Sequence, residues 1–349
     1  MKVVVVGATG NVGTSLLRVL EEESAVESIL GVARRSPELR FAKTEWAEAD
    51  IATDDLDPLF RGADAVVHLA WAIQPSRDLN ALWRTNVHGS ERVFRAVAET
   101  GVRTLVYASS VGAYSPGPKE RRVDESWPTN GIETSFYGRH KAEVERRLDR
   151  FEHEAPDVRV VRLRPGLIFK REAASGIRRL FAGPFFPSPI ARPGALPVVP
   201  NIPRLRFQAV HSLDVGDAYR LALLGDARGP FNVAAEPVLD PPKLAELLGA
   251  RLVPMPQGVA RALTSASWWL HLQPSPPGWL DLGLQVPLME TARAREELGW
   301  TPARGADEAL LELLEGLREG AGLDTPPLAP NTGGPFRIRE LLTGVGHRT

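Results

Sequence analysis

The chain has 349 residues, 42 Lys plus Arg against 43 Asp plus Glu, 43% hydrophobic residues and no cysteine. The length suggests two domains, or one large domain with an appended lobe, and leaves ample apolar material for a core. A formal charge of −1 argues against nucleic acid or anionic membrane held by bulk electrostatics. The missing cysteine excludes disulfides, thiolate metal sites, iron–sulfur clusters and a cysteine nucleophile. No apolar run approaches the roughly 18 residues of a membrane span. Met1-Lys2 runs straight into an apolar strand, leaving no room for a signal peptide, so a cytoplasmic protein is expected.

In chain order, β-branched runs predict strands at 2–6, 28–33, 65–69, 104–108 and 158–163. Amphipathic stretches predict helices at 12–22, 79–100 and 136–153 between them. Strands apolar on both faces alternating with helices define an α/β fold, a doubly wound parallel Rossmann sheet with its ligand crevice at the carboxyl ends of the strands. After Pro165 the texture changes, and a smaller C-terminal substrate-binding lobe is expected. Residues 183–203 are studded with proline. A strand at 207–211, a helix at 213–224 and a strand at 230–234 read as late Rossmann elements interleaved with that lobe. The segment 250–287 carries Trp268, Trp269 and Trp279, which wall an apolar pocket or form a small satellite core. A last amphipathic helix is expected at 306–319, then a loosely held Gly- and Pro-rich tail from 321 to 349. The organisation is thus 1–165 dinucleotide-binding core, 166–320 lobe, 321–349 tail.

Gly7-Ala8-Thr9-Gly10-Asn11-Val12-Gly13 follows the first strand and opens a helix. The first glycine makes the tight turn, the second lets backbone approach a pyrophosphate, and the third permits close helix–strand packing. The loop's free N–H groups and the helix dipole then favour an anion. Tyr137 and Lys141, four apart in a helical stretch, project from one side of it. A cation there is expected to lower the tyrosine pKa from its usual ~10 toward a range useful for proton transfer.

GATGNVG resembles the short-chain dehydrogenase/reductase superfamily, and further segments sharpen the likeness. Asp50-Ile51 falls where that superfamily contacts adenine, and His68-Leu69-Ala70 closes the strand beside the cofactor. Thr85-Asn86-Val87-His88-Gly89 looks like its N-V-x-G helix motif, and Tyr137-Gly138-Arg139-His140-Lys141 like its Y-x-x-x-K pair. Arg164-Pro165-Gly166 resembles the turn under the nicotinamide, which also brings in Ile168. His211, Asp214 and Val215, with Leu298-Gly299-Trp300-Thr301-Pro302, resemble the H-x-x-D-V and L-G-W-x-P segments of the extended, NAD-dependent epimerase/dehydratase branch. The likeness covers residues 1 to about 320.

The resemblance implies a catalytic trio of Ser110, Tyr137 and Lys141. Ser110 is chosen over Ser109 because it lies four residues before Tyr114 in Ser-Ser-Val-Gly-Ala-Tyr. Asn86 more often braces the sheet than relays protons in this branch. His68 and His211 have no partner at metal spacing, so no metal site is expected. Trp71 lines the substrate mouth or simply packs. NAD-specific members carry an acid at the end of the second strand; here stand Arg34 and Arg35, suited to a 2′-phosphate, so NADP(H) is favoured over NAD(H). The implied reaction is hydride transfer to or from a carbonyl or alcohol. Val111-Gly112 after the serine replaces the acidic pair of family dehydratases, and Arg164-Pro165-Gly166-Leu167 departs from the sugar epimerases' R-Y-F-N turn. Nucleotide-sugar epimerisation is the alternative, and a non-catalytic NADP(H)-binding sensor or assembly factor the third. The branch also implies a homodimer through the helices at 79–100 and 136–153; the first carries more apolar residues (Leu79, Leu82, Trp83, Val87, Val93, Phe94, Val97) than one sheet-facing stripe needs, while the second is highly charged.

Overall fold

The computed structural model of the chain describes residues 1–185, 191–330 and 345–346. Seven parallel strands form the central sheet: β1 (Lys2–Val6), β2 (Ser28–Ala33), β3 (Thr44–Glu48), β4 (Ala65–His68), β5 (Thr104–Ala108), β6 (Arg159–Pro165) and β7 (Gly229–Val233). Their order across the sheet is β7-β6-β5-β4-β1-β2-β3. The chain winds outward from β1 to β3, then crosses to β4 and winds the other way. The crevice beyond the carboxyl ends of β1 and β4 is therefore the switch point where such sheets bind ligands.

Val3 to Val6 are all buried, because alternate valines feed opposite cores. Val3 and Val5 pack in a cluster with Leu16 and Leu20 of α1 (Asn11–Glu21), Val215 and Tyr219 of α2 (Ser212–Leu224) and Leu313 of α3 (Ala306–Glu319). Val4 and Val6 face the other cluster, with Phe94, Val97, Leu148 and Phe151. Phe94 and Val97 lie on the helical segment 79–99, and Leu148 and Phe151 on the helix Phe136–Glu154. The motif pair near the C-terminus meets here: the wholly buried Trp300 donates from Nε1 to the Asp214 carbonyl at 2.8 Å. The Asp214 carboxylate in turn accepts from the Arg304 backbone N–H at 3.0 Å.

Several expectations are corrected. The strand β3 is an addition to the expected set. The element at 207–211 is shorter, Ala209–His211, and pairs with Leu167–Phe169 in a separate two-stranded sheet. The helix at 79–100 is interrupted by a π-turn at Arg84–His88. Of the apolar residues expected at the homodimer interface, Leu82, Val87, Val93, Phe94 and Val97 are buried within the chain, Trp83 is half-buried and Leu79 exposed. Glu91 and Glu143, on the two helices of that interface, both pair with Arg147 of the same chain. Residues 321–330 are not loose. Leu328 is buried, and Arg179 donates to the Pro327 and Ala329 carbonyls. Of the proline-rich segment, 186–190 lie outside the described residues, as do 331–344 and 347–349 of the tail.

Trp300→Ala removes a fully packed indole and strands the Asp214 carbonyl. It should cost about 3–5 kcal/mol, read as a lower urea midpoint by circular dichroism; a midpoint within error of the parent would show that the helix α3 docks without it.

Candidate active site

The glycine loop leaves β1 with Gly7 at φ +89°, a conformation L side chains rarely adopt. A Cβ there would also sit 2.6 Å from the Ala70 backbone nitrogen, so the loop lies directly against the residues that follow β4. Gly13 has the same role on the helix side, its missing Cβ falling 2.5 Å from the Gly7 and Ala8 carbonyls. Gly10 caps α1 without a side chain. This leaves the helix N-terminus open to an anion, flanked by Thr9, Asn11 and Val12. The loop is tied from below: Asn11 Nδ2 donates to the Ile168 carbonyl at 3.1 Å. The buried Lys170 donates from Nζ to the Asn11 carbonyl at 2.8 Å and to Thr14 Oγ1 at 2.7 Å. Burial pushes the Lys170 ammonium down to about 7. No motif pointed to Lys170. Asn11 Oδ1 is buried without a partner among the described residues.

The segment after β4 is held by Asn86. Its Oδ1 accepts from the Ala72 N–H and its Nδ2 donates to the Ala72 carbonyl, both at 2.7 Å. Asn86 stands in the π-turn, and such turns recur where a helix must present a side chain out of register. This bracing of Ala72 fixes Leu69 and Ala70 against Gly7. His68 faces Ser90 at 2.9 Å, and burial holds its imidazole down at about 3, hence neutral. Asp50 accepts from the Ala52 N–H at 2.9 Å, and Ile51 is buried against Gly89. Pro165 ends β6 opposite Val233, and Ile168 pairs with Val210. Arg34 and Arg35, just past β2, are exposed and join no ion pair among the described residues.

Ser110, Tyr137 and Lys141 come together at the end of β5 and at the start of the helix Phe136–Glu154. Ser110 Oγ accepts from the Gly112 N–H at 3.0 Å. The Tyr137 ring packs on Gly112, where a Cβ would fall 2.7 Å from Cε1. Ser109 turns the other way and donates to Glu145. Lys141 is buried, donating to the Ala108 carbonyl at 2.6 Å with its Nζ 3.5 Å from the centroid of Trp71. The expected lowering of Tyr137 by Lys141 is not found. Burial pushes Tyr137 up to about 12, with the nearby Ser110 opposing it and no contribution from Lys141, because the ammonium is turned to Ala108 and Trp71. Burial likewise holds Lys141 well below the usual lysine range, with Glu145 opposing it.

Aromatic rings wall this trio. Trp279 lies 4.8 Å from Tyr137 and 4.9 Å from Phe181, and Trp71 stands edge-on to Tyr137 at 5.9 Å. Of the three tryptophans singled out in 250–287, Trp279 alone stacks on Tyr137. Trp268 carries the Arg77 guanidinium at 3.6 Å, and Trp269 is 77% exposed. His211 faces Glu312 at 3.2 Å. Arg206 donates to the Lys119 carbonyl at 2.7 Å.

Fold and site together define a Rossmann protein of the extended short-chain dehydrogenase/reductase type. The chain matches the NAD dependent epimerase/dehydratase family over residues 3–179 and belongs to that family. An uncharacterised protein of Mycobacterium tuberculosis is 28% identical over 326 residues, 93% of this chain and 31% of its own length. The chain thus spans about a third of the curated relatives it matches over most of its length. An NAD-dependent glucose-6-phosphate dehydrogenase of Haloferax volcanii is 28% identical over 47% of this chain and 67% of its own. The fold is shared with the UDP-glucose 4-epimerase of Thermus thermophilus in complex with NAD, at TM-score 0.66 and 21% identity, covering 91% of this chain and 99% of that one.

Gly7→Ala should weaken dinucleotide binding at least tenfold, about 1.4 kcal/mol or more, because the methyl group must displace Ala70 or the loop. Calorimetric titration with NADH and NADPH checks it; an unchanged Kd would place the dinucleotide elsewhere.

Proposed function

We propose that the chain catalyses hydride transfer between a nicotinamide dinucleotide and a small carbonyl or alcohol substrate whose reacting face is apolar. The observation that carries this reading is the gathering of Ser110 and Tyr137 against Gly112, under Trp279 and Trp71, at the strand ends beside the glycine cradle. The residues present suit a dinucleotide. A Cβ-free Gly7, an open helix N-terminus and the unpartnered Asn11 Oδ1 leave donors, space and an acceptor along one edge. When bound, the nicotinamide ring supplies or takes up the hydride.

This chain's own groups supply the rest. Tyr137, protonated across neutral pH, is poised to donate its phenolic proton to a carbonyl oxygen as that oxygen gains charge. Ser110 Oγ, placed beside the same hydroxyl, polarises that oxygen and orients it. Lys141 lies one turn along with its Nζ 5.9 Å from the Tyr137 ring centroid; turned from Ala108 toward the phenol, the ammonium would stabilise the phenolate left behind. Trp71, Trp279 and Phe181 present aromatic surface to the substrate, and the Trp71 indole N–H, buried without a partner among the described residues, is a free donor beside it. Arg34 and Arg35 favour NADP(H): exposed at the end of β2 and in no ion pair among the described residues, they suit a 2′-phosphate.

Nucleotide-sugar epimerisation is the second reading. It is favoured by the shared fold with enzymes named for UDP-sugars, which extends over 91% of this chain. Against it stand the aromatic wall and the engagement of Arg164 with Glu145, which ties up that guanidinium. The purified chain with NADPH or NADH and a panel of aldehydes, ketones and UDP-sugars separates the readings. Net consumption of reduced dinucleotide supports the first, a sugar product at constant dinucleotide the second, and binding without any turnover a sensor.

Tyr137→Phe keeps the ring on Gly112 but removes the proton. Turnover should fall about 10²–10⁴-fold with dinucleotide Kd unchanged; near-parent turnover excludes Tyr137 as the acid. Replacing Arg34 and Arg35 by Ala should weaken NADPH binding at least tenfold, about 1.4 kcal/mol, and leave NADH nearly unaffected. Equal losses for the two would give the arginines a role in the fold alone.

A further inference from the structure

One buried ion cluster lies against the site without belonging to the trio. Tyr137, Lys141 and Glu145 follow at intervals of four on the helix Phe136–Glu154, so their side chains rise from one side of it. Glu145 is only 1% exposed and accepts three charge-assisted bonds: from Arg162 Nη1 at 2.9 Å, Arg164 Nε at 2.9 Å and Arg164 Nη2 at 3.0 Å. Its fourth partner is the Ser109 hydroxyl, the immediate neighbour of Ser110. Arg162 also pairs with Asp149 and Glu152. Asp149 and Glu152 are both partly exposed, so Glu145 is the one fully buried carboxylate of the cluster. Lys141, a turn away, meets a carbonyl, a phenol and an indole ring but no carboxylate at ion-pair distance among the described residues.

We propose that Glu145 is a positioning residue of the site: it holds Ser109 back so that Ser110 faces Tyr137, and, one turn from the buried Lys141 on the same side of the helix, its carboxylate favours the ammonium form of that lysine. Ser109 and Ser110 are consecutive at the end of β5, so their hydroxyls diverge. Anchoring the first to Glu145 fixes the direction of the second. A buried ammonium without a counter-charge sheds its proton, because desolvation penalises the charged form. Glu145 stays charged: burial pushes it up, but Arg164 and Arg162 outweigh that and hold it at about 2. The other groups facing Lys141 add no negative charge. Tyr107 and Tyr137 are neutral, both raised by burial, and the His68 imidazole is neutral as well. The proposal rests on the reading of Tyr137 and Lys141 as working groups only for its catalytic consequence.

The chain has six lysines, so carbon-13 NMR of lysine-labelled protein resolves Lys141, identified by its loss in Lys141→Arg. Neither substrate nor dinucleotide is needed, so failure here is distinct from failure of the proposed reaction. In Glu145→Gln the Lys141 titration should move to lower pH by about one unit or more, tenfold in its ionisation constant. In Arg164→Gln, which removes a cation and leaves Glu145, it should move to higher pH. A charge-independent structural role moves neither. If Glu145→Gln fails to fold, the direction seen in Arg164→Gln decides, and an unmoved or lowered titration there overturns the proposal. Ser109→Ala should leave the Lys141 titration at its parent value and lower kcat with dinucleotide Kd unchanged; an unchanged kcat removes the Ser110 half.

Discussion

The structure depends on β1 being buried on both faces. A parallel strand of four valines has no solvent side, so helices must cover it above and below, and the connections that deliver them cross over in one hand. That requirement puts α1 immediately after the strand, makes the turn between them tight, and leaves the helix N-terminus uncovered at the strand's carboxyl end. The anion cradle is therefore a by-product of how β1 is packed. Gly7 is needed where the turn presses on Ala70, a contact that exists because β4 is the neighbour of β1 across the switch point.

Around that frame the chain buries an unusual amount of charge. Glu145, Arg162, Arg164, Lys119, Lys141 and Lys170 are all buried. Isolated, each would cost several kcal/mol, yet they fall into two kinds. The carboxylate and guanidiniums neutralise one another between the helix Phe136–Glu154 and β6. The lysines instead end on carbonyls and hydroxyls: Lys119 on Arg206 and Gly283, Lys170 on Asn11 and its neighbours, Lys141 on Ala108. Burial accordingly lowers all three ammonium groups, Lys119 and Lys170 to about 7. Lys119 and Lys170 pin segments outside the seven-stranded sheet, and Lys141 caps the carboxyl end of β5.

The aromatic wall joins the two parts of the molecule. Trp71 comes from the sheet and Trp279 and Phe181 from segments after Pro165, yet they close together around Tyr137.

The order of strands and helices through residue 165, the glycine loop, and the pairing of Tyr137 with Lys141 are legible in the sequence, because period and turn chemistry are local properties. β3 escapes such a reading because Thr-Glu-Trp-Ala-Glu is an edge strand with little apolar content, and pairing with β2 alone makes it one. The π-turn, the fate of the helix 79–99 surface and the packing of residues 321–330 are decided by contacts far apart in the chain. So are the site's electrostatics. Four-residue spacing puts Lys141 beside Tyr137, but its ammonium finds a nearer acceptor in Ala108 and an indole face in Trp71. Lys170 and Glu145 carry no motif that marks them, since a lysine and a glutamate in a charged chain read as solvated until the fold surrounds them. Spacing along an element determines which groups can meet; burial and the partners across it, which set protonation and direction, exist only once the elements have packed.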